Sequence, residues 1–126
     1  MINGDNPMKG KRILIVSESQ DVLMFLGDWF QHMDFDVVTL SDILHREKAL
    51  TAISLDGIIL DLEMTAIDGL SMLKHLRRLY PSIPVMVLSI DDNAMGLVEA
   101  VKEGATDFLL KPIDSRLLRE KCFFLF

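Results

Sequence analysis

Polar and charged side chains stand at the ends of segments that are otherwise apolar along this chain. Ser17 and Glu18 follow the first such segment, Asp61 closes the third, Ser89 follows the fourth and Lys111 follows the fifth. A buried strand has no packing reason to carry such groups at its end. Together, carboxylates, a hydroxyl and an ammonium suit a divalent cation held by oxygens, an anion clamped beside it, and a carboxylate nucleophile. The anion that this set predicts is a phosphoryl group.

Five apolar segments rich in β-branched residues predict buried strands, because parallel strands covered on both faces read as continuous apolar runs. They span residues 12–16, 35–39, 57–61, 84–88 and 106–110. The helical patterns between them exclude hairpins, so we expect an α/β fold with a parallel, doubly wound sheet and right-handed crossovers. In such sheets the functional crevice lies beyond the carboxyl ends of the strands, which is where the polar side chains above should meet.

Helices are predicted between the strands. The clearest has one apolar stripe made of Val22, Phe25, Leu26, Trp29, Phe30 and Met33. Polar caps predict helix starts at Ser41, Asp68, Asp92 and Asp114, and Gly104 predicts a helix end before the last strand. In the last helix, Leu117, Leu118 and Cys122 are expected on the buried stripe, whereas residues 123–126 carry more apolar surface than one helix buries.

Size and charge exclude several classes of protein. With 126 residues, 50% of them hydrophobic, the chain fits one compact domain and not two. A net charge of −6 argues against direct binding of nucleic acid, because phosphate backbones are bound by basic surfaces. One cysteine cannot form an internal disulfide, and no apolar run approaches the ~18 residues that span a bilayer. The first residues lack the apolar stretch of a secretory signal, so we expect a cytoplasmic location.

Four motifs, in order along the chain, resemble the receiver domain of response regulators in two-component signalling. They are residues 13–16 with an acidic position after them, 58–62 with Met64 and 68–70 following, 84–89, and 104–112. The resemblance implies a flavodoxin-like or CheY-like (βα)5 fold, with five parallel strands in the order 2-1-3-4-5. It also implies a signalling domain and not an enzyme, apart from Mg²⁺-dependent self-phosphorylation and autodephosphorylation.

By the same resemblance, Asp61 is the phosphorylation site, and its carboxylate attacks the phosphohistidine of a histidine kinase or phosphotransfer protein. Glu18, Asp61 and the backbone carbonyl of Glu63 are the implied Mg²⁺ ligands. The Ser89 hydroxyl would donate to one phosphoryl oxygen, and Lys111 would pair with another. These roles agree with the chemistry of phosphoryl transfer, which depends mostly on positioning and charge neutralisation.

Phe108 corresponds to the switch aromatic of the family, which turns inward when the hydroxyl residue is drawn to the phosphoryl group. A buried strand aromatic is the alternative interpretation. The bond between Lys111 and Pro112 is cis in much of the family. Phosphorylation would alter the face made by the fourth helix, last strand and last helix, where an output domain, another partner or a second copy is expected. Taken singly, Asp61, Ser89 and Lys111 would be ordinary turn or surface residues, and their order favours the functional interpretation.

The acidic pair of the family is changed in this chain. Receivers usually carry two acidic residues after the first strand, where this chain has Ser17 and Glu18. The cation loses one charge and its remaining ligand is a methylene longer, so we expect weaker Mg²⁺ binding than in a typical receiver. Glu63 is an alternative replacement for the missing acid.

Other changes surround the predicted site. Glu63 and Asp91 add negative charge that should repel an incoming phosphoryl group. Ile90 replaces a small residue and should hinder access to the acyl phosphate, while Thr65 replaces the usual proline. Ser17, Ile90 and Asp91 are therefore predicted to modulate the site.

Two other functions remain open at this point. A degenerate receiver would keep the fold and bind proteins without phosphorylation. The segment 61–65 also resembles the Asp-x-Asp-x-Thr motif of haloacid-dehalogenase phosphatases, but that motif lies on the first strand of a longer chain. Residues 1–10 are expected to form a flexible tail, and residues 11–126 a receiver domain from the N-terminal part of a longer regulator.

Overall fold

The computed structural model describes residues 6–41, 53–65, 68–90 and 94–126, which contain five strands and four helices. The strands are β1 (Arg12–Val16), β2 (Asp36–Leu40), β3 (Gly57–Asp61), β4 (Val85–Ile90) and β5 (Asp107–Lys111). The helices are α1 (Gln20–His32), α2 (Gly69–Leu79), α3 (Ala94–Lys102) and α4 (Ser115–Leu125). The helix predicted after Ser41 and the cap predicted at Asp92 lie outside the described residues.

All five strands are parallel and lie in the order β2-β1-β3-β4-β5, which confirms the predicted fold. The pairing brings Asp61 of β3 level with Leu88 of β4, and Ile90 level with Lys111 of β5. β4 and β5 both run beyond their predicted ends, since each continues the other's hydrogen-bonded ladder. Ser89 and Lys111 therefore lie within strands, which fixes their backbones beside Asp61.

The sheet separates two apolar cores, and alternate residues of the central strands serve one or the other. Leu14, Ile58 and Val87 face the core that α2 and α3 cover, whereas Ile13, Ile59 and Met86 face the core under α1 and α4. All six of these side chains are fully buried. Successive side chains of a strand point to opposite faces, so a strand buried on both sides must be apolar throughout, as the sequence predicts.

Polar caps begin the helices at the carboxyl edge of the sheet. Asp68 caps α2 by accepting from the amide of Leu70, and Asp114 caps α4 by accepting from Arg116, as predicted. Gly104, with a φ of 105°, follows α3 in the left-handed conformation that ends a helix. Ser19 caps α1 by accepting from the amide of Val22, so α1 begins directly after Ser17 and Glu18. None of the described helices has the length and apolarity needed to cross a membrane.

The prediction of a flexible tail up to residue 10 is wrong for its described part, residues 6–10. Met8 is buried in the core under α1 and α4. The Asn6 side chain donates to the carbonyl oxygen of Met33 at 2.8 Å, and the Gly10 amide donates to that of Asp34 at 2.9 Å. One apolar side chain and two hydrogen bonds therefore hold this segment against the end of α1.

The last helix differs in part from the prediction. Leu118 and Cys122 are buried as expected, but Leu117 is 41% exposed, so its assignment to the buried stripe is wrong. Phe126 turns into the core, where its ring occupies space left by the missing side chain of Gly57. Phe124 remains 92% exposed. The segment 123–126 thus buries the ring of Phe126 and leaves that of Phe124 in water.

Candidate functional site

Asp61, the predicted phosphorylation site, ends β3 at the carboxyl edge of the sheet and is only 1% exposed. Its Oδ1 accepts hydrogen bonds from Lys111 Nζ at 2.6 Å and from the Glu63 amide at 3.1 Å. Its Oδ2 accepts from Ser17 Oγ at 2.7 Å. Both carboxylate oxygens are therefore held by donors, and the charge is compensated where water has little access.

Lys111 supplies the positive charge of the site. Burial alone would lower the pKa of its ammonium, but hydrogen bonds and charge attraction from Asp61 and Glu63 outweigh burial and raise the pKa above its ordinary 10.5. The ammonium lies 2.6 Å from Asp61 Oδ1 and 3.2 Å from Glu63 Oε1. Lys111 is therefore a cation throughout the physiological range of pH. Its peptide bond to Pro112 is cis.

Ser17 is fully buried beside Asp61, directly after β1. Its hydroxyl donates to Asp61 Oδ2 at 2.7 Å and accepts from the Ser19 amide at 3.0 Å. The sequence predicted the loss of a charge at this position but not this hydrogen bond. A hydroxyl is both donor and acceptor, so it links the carboxylate to the first turn of α1 in a way that a second carboxylate does not.

Ser89 and Glu63 meet in front of Asp61. The Ser89 hydroxyl, which is buried on β4, donates to Glu63 Oε2 at 3.2 Å. Glu63 Oε1 faces Lys111 across the 3.2 Å ion pair. The Glu63 carboxylate thus spans the two groups that were predicted to hold a phosphoryl group, and the sequence indicated its charge but not this position.

Glu18 is hydrogen-bonded to the loop after β3. Its two carboxylate oxygens accept from the Thr65 amide at 2.7 and 3.0 Å, and Oε2 also accepts from the Thr65 hydroxyl at 2.7 Å. Within the described ranges, no three acidic, His or Cys side chains are grouped so that they could hold a metal ion. In this arrangement the predicted Mg²⁺ site has few available ligands, because Glu18 is hydrogen-bonded to Thr65 and both Asp61 oxygens accept from the protein.

Two further predicted residues, Ile90 and Phe108, lie on β4 and β5. Ile90, at the end of β4, is 43% exposed. Phe108 is 36% exposed on β5, so the alternative of a buried strand aromatic is wrong. Lys121 Nζ lies 4.8 Å from the centroid of its ring and donates to the Phe108 carbonyl oxygen at 2.7 Å. Asp91 lies outside the described residues.

A parallel doubly wound sheet with a carboxylate, a hydroxyl and an ammonium gathered at its carboxyl edge defines a receiver. The chain belongs to the response regulator receiver domain family, whose family model matches residues 13–123. Domains of this family are signalling domains of two-component systems, interact with histidine kinases and output domains, and generally bind Mg²⁺.

Curated relatives are similar over most of the chain. A protein named Regulator of RpoS, from Escherichia coli K12, is 34% identical over 118 residues, which are 93% of this chain and 35% of that protein. The transcriptional regulatory protein PrrA of Mycobacterium tuberculosis is 32% identical over 108 residues, 86% of this chain and 46% of that protein. The chain thus spans between a third and a half of the length of these relatives.

Solved structures have the same fold. The N-terminal signal receiver domain of a two-component response regulator from Bacteroides fragilis is 28% identical, with a TM-score of 0.83 over 93% of this chain and 97% of that one. The chemotaxis protein CheY4 of Vibrio cholerae is 22% identical, with a TM-score of 0.84 over 93% of this chain and 99% of that one.

Proposed function

We propose that this receiver accepts a phosphoryl group on Asp61 from the phosphohistidine of a histidine kinase or phosphotransfer protein. The observation that carries the proposal is the buried Asp61 carboxylate, 2.6 Å from the Lys111 ammonium and at the same sheet edge as the Ser89 hydroxyl. A nucleophile, a fixed cation and a hydroxyl donor are the side chains that phosphoryl transfer uses for positioning and charge neutralisation.

In the transfer, an Asp61 carboxylate oxygen attacks the phosphorus, and a new O–P bond forms as the P–N bond to the donor imidazole breaks. The imidazole nitrogen leaves with the electron pair and takes a proton from solvent. Lys111 neutralises one phosphoryl oxygen and the Ser89 hydroxyl donates to another. With acetyl phosphate as the donor, an O–P bond breaks instead and acetate leaves with the electron pair, so the domain can phosphorylate itself from a small donor.

We assign weak Mg²⁺ binding to this domain. Ser17 is uncharged, and Glu18 makes three hydrogen-bonding contacts with Thr65. A cation would find fewer available carboxylates here than in a receiver with two acidic residues at these positions, and Mg²⁺ tolerates poor ligand geometry badly.

The proposed output is a change in the surface formed by α3, β5 and α4, named here the α3–β5–α4 surface. It exposes apolar side chains at Met95, Val98, Val101, Phe108, Leu110, Leu117, Phe123 and Phe124. Apolar groups on adjacent elements suit binding of an output domain, a separate protein or a second copy of the chain. Since the relatives are two to three times longer, we propose that this receiver, with residues 6–10 packed against it, belongs to a longer, cytoplasmic regulator.

Incubation with acetyl phosphate and Mg²⁺, followed by intact-protein mass spectrometry, tests the proposal. We expect one added phosphoryl group on the wild type and on Asp28→Asn, a matched change on the exposed side of α1, and none on Asp61→Asn. Asp61→Asn should remain folded by circular dichroism. An unmodified wild type, in an assay validated with a second receiver, would contradict the proposal and leave a receiver that binds proteins without phosphorylation.

A further inference from the structure

Glu63 makes the contacts that an oxyanion would make at this site. One carboxylate oxygen accepts from the Ser89 hydroxyl and the other faces the Lys111 ammonium, each at 3.2 Å. These are the two groups that the proposed function gives to the phosphoryl oxygens. We propose that the Glu63 carboxylate is an internal occupant of the phosphoryl subsite, which it must leave before Asp61 is phosphorylated. This inference rests on the proposed function.

The charge of the site supports a competition between Glu63 and the phosphoryl group. Asp61 already pairs with Lys111 at 2.6 Å, so the second carboxylate gives the site two negative charges for one ammonium. An incoming phosphoryl group would bring still more negative charge to the same ammonium. The phosphoryl group can bind Lys111 and Ser89 only when the Glu63 carboxylate has moved away.

The backbone allows this exchange through a side-chain rotation. The Glu63 amide donates to Asp61 Oδ1 at 3.1 Å, so the start of the loop after β3 is tied to the nucleophile itself. The Glu63 side chain is 27% exposed as a whole although its Oε1 is buried, so the side chain borders solvent and a rotation would carry the carboxylate outward. Side-chain rotations near the surface are fast compared with group transfer, so the subsite would exchange between closed and open forms before the chemical step.

Occupancy of the subsite reduces the fraction of molecules ready to react, and the observed rate is the intrinsic rate multiplied by that reactive fraction. We expect Glu63→Ala to speed phosphorylation by acetyl phosphate about tenfold, the factor that about 1.4 kcal/mol produces. Glu63→Asp keeps the charge but is one methylene shorter, so it loses the bridge between Ser89 and Lys111. It should be nearly as fast as Glu63→Ala, whereas Glu120→Gln, a charge change on the exposed side of α4, should match the wild type.

Initial rates of mass gain at one acetyl phosphate concentration measure the effect, with thermal unfolding to show that each variant is folded. The double variant Asp61→Asn, Glu63→Ala should stay unmodified. This result would show that Asp61 is still the residue phosphorylated when Glu63 is absent. Equal rates for Glu63→Ala and the wild type would overturn this inference alone. A fast Glu63→Ala with a slow Glu63→Asp would also overturn it, in favour of charge repulsion. No modification of any variant would overturn the proposed function, and the inference with it.

Discussion

Ser17 stabilises the buried negative charge of Asp61 without a bound metal cation. Its hydroxyl donates to Asp61 Oδ2 at 2.7 Å in a fully buried position. With Lys111 on the other oxygen, the carboxylate is neutralised by the protein itself. A receiver with a second carboxylate at this position would have two like charges in contact and would need a cation to stabilise them. In this chain the hydrogen bond from Ser17 to Asp61 takes the place of that cation.

Ser17→Asp should therefore make the stability of the domain depend on Mg²⁺. The new carboxylate would lie buried against Asp61, and we expect the free energy of unfolding to fall by about 2 kcal/mol in EDTA. Mg²⁺ should restore much of this loss, while it shifts the wild type little. Thermal unfolding with EDTA and with Mg²⁺ measures both effects. Ser17→Asn, similar in size and uncharged, is the control, and an equal Mg²⁺ response in Ser17→Asp and wild type would contradict the argument.

Lys111 should stabilise the fold up to high pH. The pKa of its ammonium is raised in the folded protein above the ordinary 10.5, because its attraction to Asp61 and Glu63 exceeds the effect of burial. Its contribution is therefore fully present below about pH 10.5 and is lost as pH rises through the folded-state pKa. Lys111→Met should reduce the free energy of unfolding by about 3 kcal/mol at neutral pH, since it leaves the buried Asp61 carboxylate without its cation.

Urea unfolding of both proteins across this pH range measures the difference. Burial raises the pKa of the Cys122 thiol to about 12 from 9.0, so both proteins lose stability above about pH 9 as the unfolded thiol ionises. Subtracting the variant from the wild type removes this shared effect. A difference that begins to shrink well below pH 10 would show that Lys111 is not held as a cation by the two carboxylates.

At the scale of elements, close packing of α2 against the end of β3 depends on Gly69. This residue opens α2, and an added Cβ would lie 2.5 Å from the carbonyl oxygen of Leu62 and 2.7 Å from its Cα. Both atoms belong to the backbone that follows Asp61, so no side-chain rotation relieves the overlap. The glycine lets the helix approach the loop that carries Glu63.

Gly69→Ala and Gly27→Ala should change stability in opposite directions. The first forces backbone atoms apart, and we expect the free energy of unfolding to fall by about 2 kcal/mol. The second lies within α1 with nothing within 4 Å of its added Cβ, so alanine should stabilise the helix by about 0.5–1 kcal/mol. Urea unfolding compares the two. Destabilisation by both variants to the same extent would show that the contact with Leu62 is not the cause.

The positions of the elements follow from local patterns, and for that reason the sequence predicts them. Apolar runs, the caps at Asp68 and Asp114, and Gly104 each act within a few residues. The meeting of Asp61 with Lys111 also follows, because the carboxyl ends of parallel strands share one edge. The family is recognisable from the same residues.

Local patterns do not predict which hydrogen-bond partners the loop side chains take. Glu18 binds Thr65, and Glu63 binds Ser89 and Lys111, although the sequence allows either acid to point toward a cation. Met8 gave no signal either, because a single apolar residue between Pro7 and Lys9 has no periodicity. These outcomes depend on contacts between residues far apart in the chain.

At the scale of the whole molecule, the two helices that cover the same core, α2 and α3, are held unequally. α3 buries only Ala100 fully, and Met95, Val98 and Val101 are exposed on it. In α2, by contrast, Met72, Leu73 and Leu76 are all buried. An element with few buried apolar side chains opens at a low free energy and is easily shifted by a change nearby. α3 follows β4, the strand that carries Ser89, so it is the helix that a change at Ser89 should reach first.

Hydrogen exchange followed by mass spectrometry should show this coupling. In the unmodified protein, amides of α3 should exchange faster than those of α2. After phosphorylation of Asp61, the Ser89 hydroxyl moves to the phosphoryl group, and we expect exchange in α3 to slow severalfold while α1 stays unchanged. Ser89→Ala should accept the phosphoryl group but leave α3 exchange as it was. If α3 were protected equally in Ser89→Ala, the signal would pass from Asp61 to the α3–β5–α4 surface by a route that does not use this hydroxyl.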